Sequence, residues 1–149
     1  EGRASLTAHM INRAEEARLR HGPDLDGEAI LAMLDDQRVA RFPTVVVFDD
    51  GPLLAGEFAY PEPVEDESGR WWRLSLRPDL KERPREWARV IAYYLPLMNY
   101  GSVVTHEDCL GFAGALLGER PWESERALRA LCDAPPLDRD APRGDRWKE

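Results

Sequence analysis

Thr44-Val45-Val46-Val47-Phe48-Asp49-Asp50-Gly51-Pro52-Leu53-Leu54 is the stretch on which the fold turns. Thr44 to Phe48 is a run of β-branched residues closed by an aromatic, the composition of a strand. Asp50-Gly51 follows, a dipeptide that suits a two-residue turn because both positions need positive φ. Centring the turn there sets Phe48 opposite Leu53 and Val47 opposite Leu54, which predicts a β-hairpin from Pro43 to Tyr60 with Leu53–Tyr60 as the return strand. Both faces of that hairpin are apolar, so it is expected to be covered on both sides.

Beyond the hairpin, residues 61–69 are acidic and read as a loop. Trp71 to Arg77 then alternates as a third strand, with Trp72, Leu74 and Leu76 on one side and Trp71, Arg73, Ser75 and Arg77 on the other. Period two makes these opposite faces, and the first set is the core candidate. The expected sheet is a small antiparallel three-stranded meander.

About five helices flank it. Leu6, Met10, Ala14 and Ala17 repeat at helical spacing over 5–20, and His21-Gly22-Pro23 is a stop. A second helix is expected over 26–38, with Asp26 as N-cap and Leu25 and Ile30 spaced as a hydrophobic staple. Pro84 suits the first position of a third, carrying Trp87, Val90, Ile91, Tyr94 and Met98 as its apolar stripe. Pro96 is expected to kink that helix or end it near Tyr94. Thr105 and Asp108 are spaced as a capping box for a fourth helix, which is rich in glycine and alanine. Pro121 opens a fifth, to about Cys132. The fold class is therefore α+β, with one domain over 1–132 and a mobile tail of Pro, Asp and Arg over 133–149.

The totals exclude some functions. The 149 residues carry a formal net charge of −8, which argues against binding nucleic acid through the whole surface. No apolar run is long enough to span a bilayer, and the N-terminal stretch lacks a charged-then-apolar leader pattern, so the expected location is the cytoplasm. Cys109 and Cys132 are too few for a four-cysteine metal site and are expected to be reduced and buried.

Two clusters carry chemistry. Trp71, Arg73, Ser75 and Arg77 place an aromatic, two guanidiniums and a hydroxyl on one strand face, a pattern suited to a carboxylate or phosphate. Lys81, Arg83, Arg85 and Arg89 extend the basic zone. The competing structural explanation pairs these arginines with Glu62, Glu65, Asp66 and Glu67. The second cluster is His106, Glu107 and Cys109, which sets a base, a carboxylate and a thiol in one helical turn. It lacks further His or Cys nearby for a zinc site, and the helix dipole also explains Glu107 and Asp108 at a helix start. Asp24 to Glu28 faintly resembles a calcium loop, but Gly22 and Met33 occupy positions that should be acidic. Phosphate-loop, dinucleotide, zinc-protease and nucleophile-elbow motifs are missing from the sequence.

The sequence leads to a small, non-catalytic accessory or interaction protein of bacterial type, without cofactor or metal, binding a protein or a small anionic ligand. The rival expectation is a small metal-dependent or thiol enzyme using His106, Glu107 and Cys109. A selective RNA binder on the Trp/Arg face is a third, opposed by the net charge.

Overall fold

The computed structural model of the chain describes residues 2–133. The helices come where periodicity and caps place them. Helix α1 spans Gly2–His21 and buries Met10, Ala14 and Ala17. Helix α2 spans Gly27–Met33, with the Asp26 carboxylate accepting from the Ala29 amide. It ends earlier than the sequence suggests. The Asp36 carboxylate takes the Arg38 amide and guanidinium and the His21 ring, and these bonds favour a turn over a further helical turn. Helix α3 spans Pro84–Tyr100, α4 spans His106–Leu117 and α5 spans Pro121–Asp133. Thr105 and Asp108 form the expected capping box on α4.

Pro96 neither ends nor divides α3, which runs on to Tyr100 and stops at Gly101, whose φ of 76° suits a C-cap. An interior proline costs ~3 kcal/mol. Burial of Tyr94, Leu95 and Met98 around it outweighs that, at about 1.5–3 kcal/mol for each large apolar side chain removed from water.

The sheet corrects the expected antiparallel meander. Strands β1 (Thr44–Phe48), β2 (Ala59–Asp66) and β3 (Gly69–Leu76) lie in the order β1-β3-β2. β1 runs parallel to β3, with Val46 beside Leu74; β2 runs antiparallel to β3, with Pro61 beside Leu74. The sheet is therefore mixed, and β1 and β2 never neighbour each other. After β1 the chain closes on itself through local bonds. The Gly51 amide donates to the Asp49 carboxylate, the Leu53 amide to the Asp50 carbonyl, and the Leu54 amide to Glu57 Oε1. Those bonds satisfy the backbone that a return strand would have presented to β1.

The second strand instead forms from the stretch expected to be an acidic loop. Pro61 and Pro63 stand two apart on an edge strand, so both missing amides lie on the side away from the β3 ladder. The β2–β3 turn is Glu67-Ser68, where Asp66 Oδ1 accepts from the Ser68 amide and Gly69 takes a φ of 112°.

Helix α3 packs against α2, α4, α5 and the sheet, and α1 packs against α4. The Trp87 ring lies so close over Gly27 that a Cβ there would sit 2.0 Å from it, and it also makes an edge-to-face ring pair with Phe48. Within the described residues no helix is long and apolar enough to cross a membrane. The 134–149 part of the tail lies outside the described residues.

On β3, Trp72, Leu74 and Leu76 are buried, as period two requires. Trp71 points the other way and is half-buried, with its indole N–H donating to Asp66 and the Arg73 guanidinium over its ring. Trp72→Ala is therefore expected to cost ~3–5 kcal/mol in unfolding free energy, and Trp71→Ala below about 1 kcal/mol. Chemical denaturation of both variants checks this; equal losses would mean that Trp71 is core.

Candidate functional site

The Trp/Arg strand face is divided by its surroundings. Trp71 and Arg73 lie at the surface, and Arg73 reaches Glu62 of β2 at 3.4 Å. Ser75 is 1 % exposed and Arg77 9 %, which corrects the expectation that all four residues face outward. Arg77 lies just past the end of β3, where α5 covers it. Its guanidinium grips Asp79 through two bonds and donates to the Leu131 carbonyl at 2.9 Å. Arg70 stands 3.9 Å from Glu65. Farther along the basic zone, Arg85 and Arg89 pair with Glu119, and Arg89 also pairs with Glu86. The acids of β2 thus lie within reach of β3 arginines, because antiparallel pairing sets Glu62 beside Arg73 and Glu65 beside Arg70.

The His106 cluster is reorganised. Glu107 is exposed at the first turn of α4. Cys109 is 5 % exposed, and burial, with Asp108 nearby, pushes its thiol up to about 12. Neither cysteine is bridged. Among the described residues no group of three or more His, Cys, Asp or Glu side chains is placed to hold a metal.

His106 instead joins residues that sequence spacing did not connect to it. Its Nδ1 lies 2.6 Å from the Tyr93 hydroxyl of α3, and its Nε2 lies 3.1 Å from Glu125 Oε2 of α5. A carboxylate only accepts, so Nε2 carries the proton in this pair. In a neutral ring Nδ1 is then the acceptor, and the Tyr93 hydroxyl donates to it. The hydrogen bond from His106 holds the Glu125 carboxyl below its usual range, helped by Arg129. The result is a phenol–imidazole–carboxylate chain spanning three helices. Capping fixes the middle of it, His106. Thr105 and Asp108 set the first turn of α4, and Arg3 and Thr7 of α1 tie Asp108 in place.

Tyr93 and His106 open onto a cleft of about 700 Å³ between the β2 edge and helices α3 and α4. Its apolar wall includes Tyr60, Pro61, Tyr94 and Leu97; Glu57, Glu107 and Arg129 are its charged groups. Glu57 is almost fully buried and accepts from the Leu54 amide at 2.8 Å. Tyr94 stands edge-on to Tyr93, ring centroids 5.0 Å apart, and burial holds its hydroxyl well above the usual phenol range. The sequence flagged His106, Glu107 and Cys109 of this site but missed Glu57, Tyr93, Glu125 and Arg129. Glu57 had one local signal, a lone carboxylate ahead of the apolar Phe58-Ala59. The others come from separate helices, with no local pattern to link them.

Comparison with protein-family models, with curated proteins and with solved structures gives no match.

A thiol held near 12 stays protonated at neutral pH, so it is a poor nucleophile. Thiol-reagent titration at pH 7.5 is expected to label Cys109 orders of magnitude more slowly in the native protein than in denaturant. Rapid native labelling would restore the thiol-enzyme reading.

Proposed function

We propose that the protein is a binding domain for a small molecule with an aromatic or apolar body and a hydrogen-bond-donating head, taken up in the cleft beside His106. The cleft carries this reading. Its volume is in the range of small-molecule sites, ~300–1,000 Å³. Its wall includes aromatic and apolar residues together with a few polar groups. Carboxylates outnumber guanidiniums there, Glu57 and Glu107 against Arg129, and Arg129 already reaches Glu125. That balance favours an amine or hydroxyl over an anion. This keeps the protein in the binding class expected from the sequence and moves the site from the Trp/Arg face to the cleft. An accessory role in the cytoplasm is part of the same proposal.

The phenol–imidazole–carboxylate chain favours a second reading, proton transfer on a bound molecule. Such a chain lets a tyrosine hydroxyl deliver or accept a proton while the imidazole takes up the change. It needs neither the thiol nor a metal.

Phenethylamine serves as the probe, in an NMR titration. Saturable shifts are expected at Tyr60, Leu97 and His106, with Leu97→Trp filling the cleft and weakening binding at least about tenfold. Shifts confined to other surfaces, or unchanged affinity in Leu97→Trp, would overturn the cleft reading. Chemical conversion of a bound amine that is lost in Tyr93→Phe, with binding retained, would favour the second reading over the first.

A further inference from the structure

A second cavity, of about 360 Å³, lies between α1, the turn after α2 and the C-terminal end of α3. It shares no lining residue with the cleft. Its charge is opposite to that of the chain. The sequence has 28 acidic residues against 20 basic ones, yet Arg13, Arg38 and Arg41 line this cavity and no carboxylate does.

The three arginines are not equivalent. Arg38 is held by both oxygens of Asp36 and is already neutralised. Arg41 donates to the Asn99 carbonyl at 3.1 Å and lies over the Phe42 ring, but it has no carboxylate partner among the described residues. The Arg13 side chain makes neither a hydrogen bond nor an ion pair with any described residue, though Arg13 is partly buried. Tyr100 lines the same cavity. Burial raises its hydroxyl, and the positive charges of Arg13 and Arg41 oppose that rise. His9 stands edge-on to Tyr100 at 6.0 Å and forms part of the wall.

We propose that this cavity is a binding site for a small phosphate-bearing ligand, gripped by Arg13 and Arg41 with the Tyr100 hydroxyl as a third donor. Two guanidiniums from different elements suit a doubly charged, tetrahedral group, which offers an acceptor oxygen to each donor. A planar carboxylate matches one guanidinium fork and leaves the second unsatisfied. The inference is independent of the cleft reading. It relocates anion recognition from the strand face, where Arg73 and Arg77 already meet carboxylates, to a place where two of the three arginines lack them among the described residues.

Isothermal titration of the full chain at pH 8 and fixed ionic strength tests it, with inorganic phosphate as the probe and acetate as the carboxylate comparison. Phosphate is expected to bind saturably at one site, at least about tenfold more tightly than acetate. Arg13→Gln and Arg41→Lys should each weaken phosphate at least about tenfold, while Arg126→Ala, on the exposed surface of α5, should leave it unchanged. Thermal unfolding of Arg13→Gln should match the wild type, because the Arg13 side chain bonds to no described residue. No saturation by phosphate, acetate binding as tightly, equal affinity in Arg13→Gln, or an equal loss in Arg126→Ala would each overturn the proposal. Arg41→Lys keeps the test decisive if Arg13→Gln fails to fold.

Discussion

Burial of α3 on nearly every side is the constraint that organises the molecule. Twelve of its 17 residues are buried, from Trp87 near the start to Asn99 near the end. A helix with apolar residues around its circumference has to be enclosed. Here α2, α4, α5 and the sheet do so. Pro96 is tolerated within α3 because this enclosure removes more apolar surface from water than the proline costs. The same packing fixes the details at its edges: Gly27 has to be glycine because the Trp87 ring occupies the space of a Cβ.

Each candidate site is a place where that enclosure is incomplete. Midway along α3, Tyr93 and Tyr94 meet α4 and the β2 edge with room left over, and the cleft results. At the C-terminal end, Asn99 and Tyr100 meet α1 and the turn after α2, leaving the basic cavity. Asn99 closes much of that end itself, accepting the Arg41 amide and donating to the Val39 carbonyl. The two openings differ in charge because different loops cover them. The β2 side brings Glu57, and the turn after α2 brings Arg38 and Arg41. One helix therefore borders both an aromatic site and an arginine-lined site.

The helices were legible because their signals are local. Asp26 and Thr105 cap where the spacing says they should, and Pro84 and Pro121 open their helices. The inward face of β3 was legible for the same reason, since alternation is read along one strand. Strand partnership was not. A strong turn dipeptide at Asp50-Gly51 suggested pairing with the next apolar run, but amide hydrogen bonds accepted by Asp49, Asp50 and Glu57 make a closed turn there. The true neighbour of β1 lies beyond a whole hairpin, and parallel pairing at that separation leaves no local mark. The site failed in the same way. His106 was visible as a titratable residue at a helix start, yet its partners Tyr93 and Glu125 are 13 and 19 residues away on other helices. Acidic residues in the presumed loop were visible too, but only as charge, since their role beside Arg70 and Arg73 depends on the register of β2.

Tyr93 and Glu125 together hold the His106 ring in one tautomer beside the cleft. Nitrogen-15 NMR of the imidazole at pH 9, where histidines are ordinarily neutral, reads that tautomer. A protonated Nε2 facing Glu125 and an unprotonated Nδ1 accepting from Tyr93 are expected, with the signature of a single tautomer lost in Glu125→Leu, which removes the acceptor. A proton on Nδ1, or rapid averaging between both nitrogens in the wild type, would contradict it.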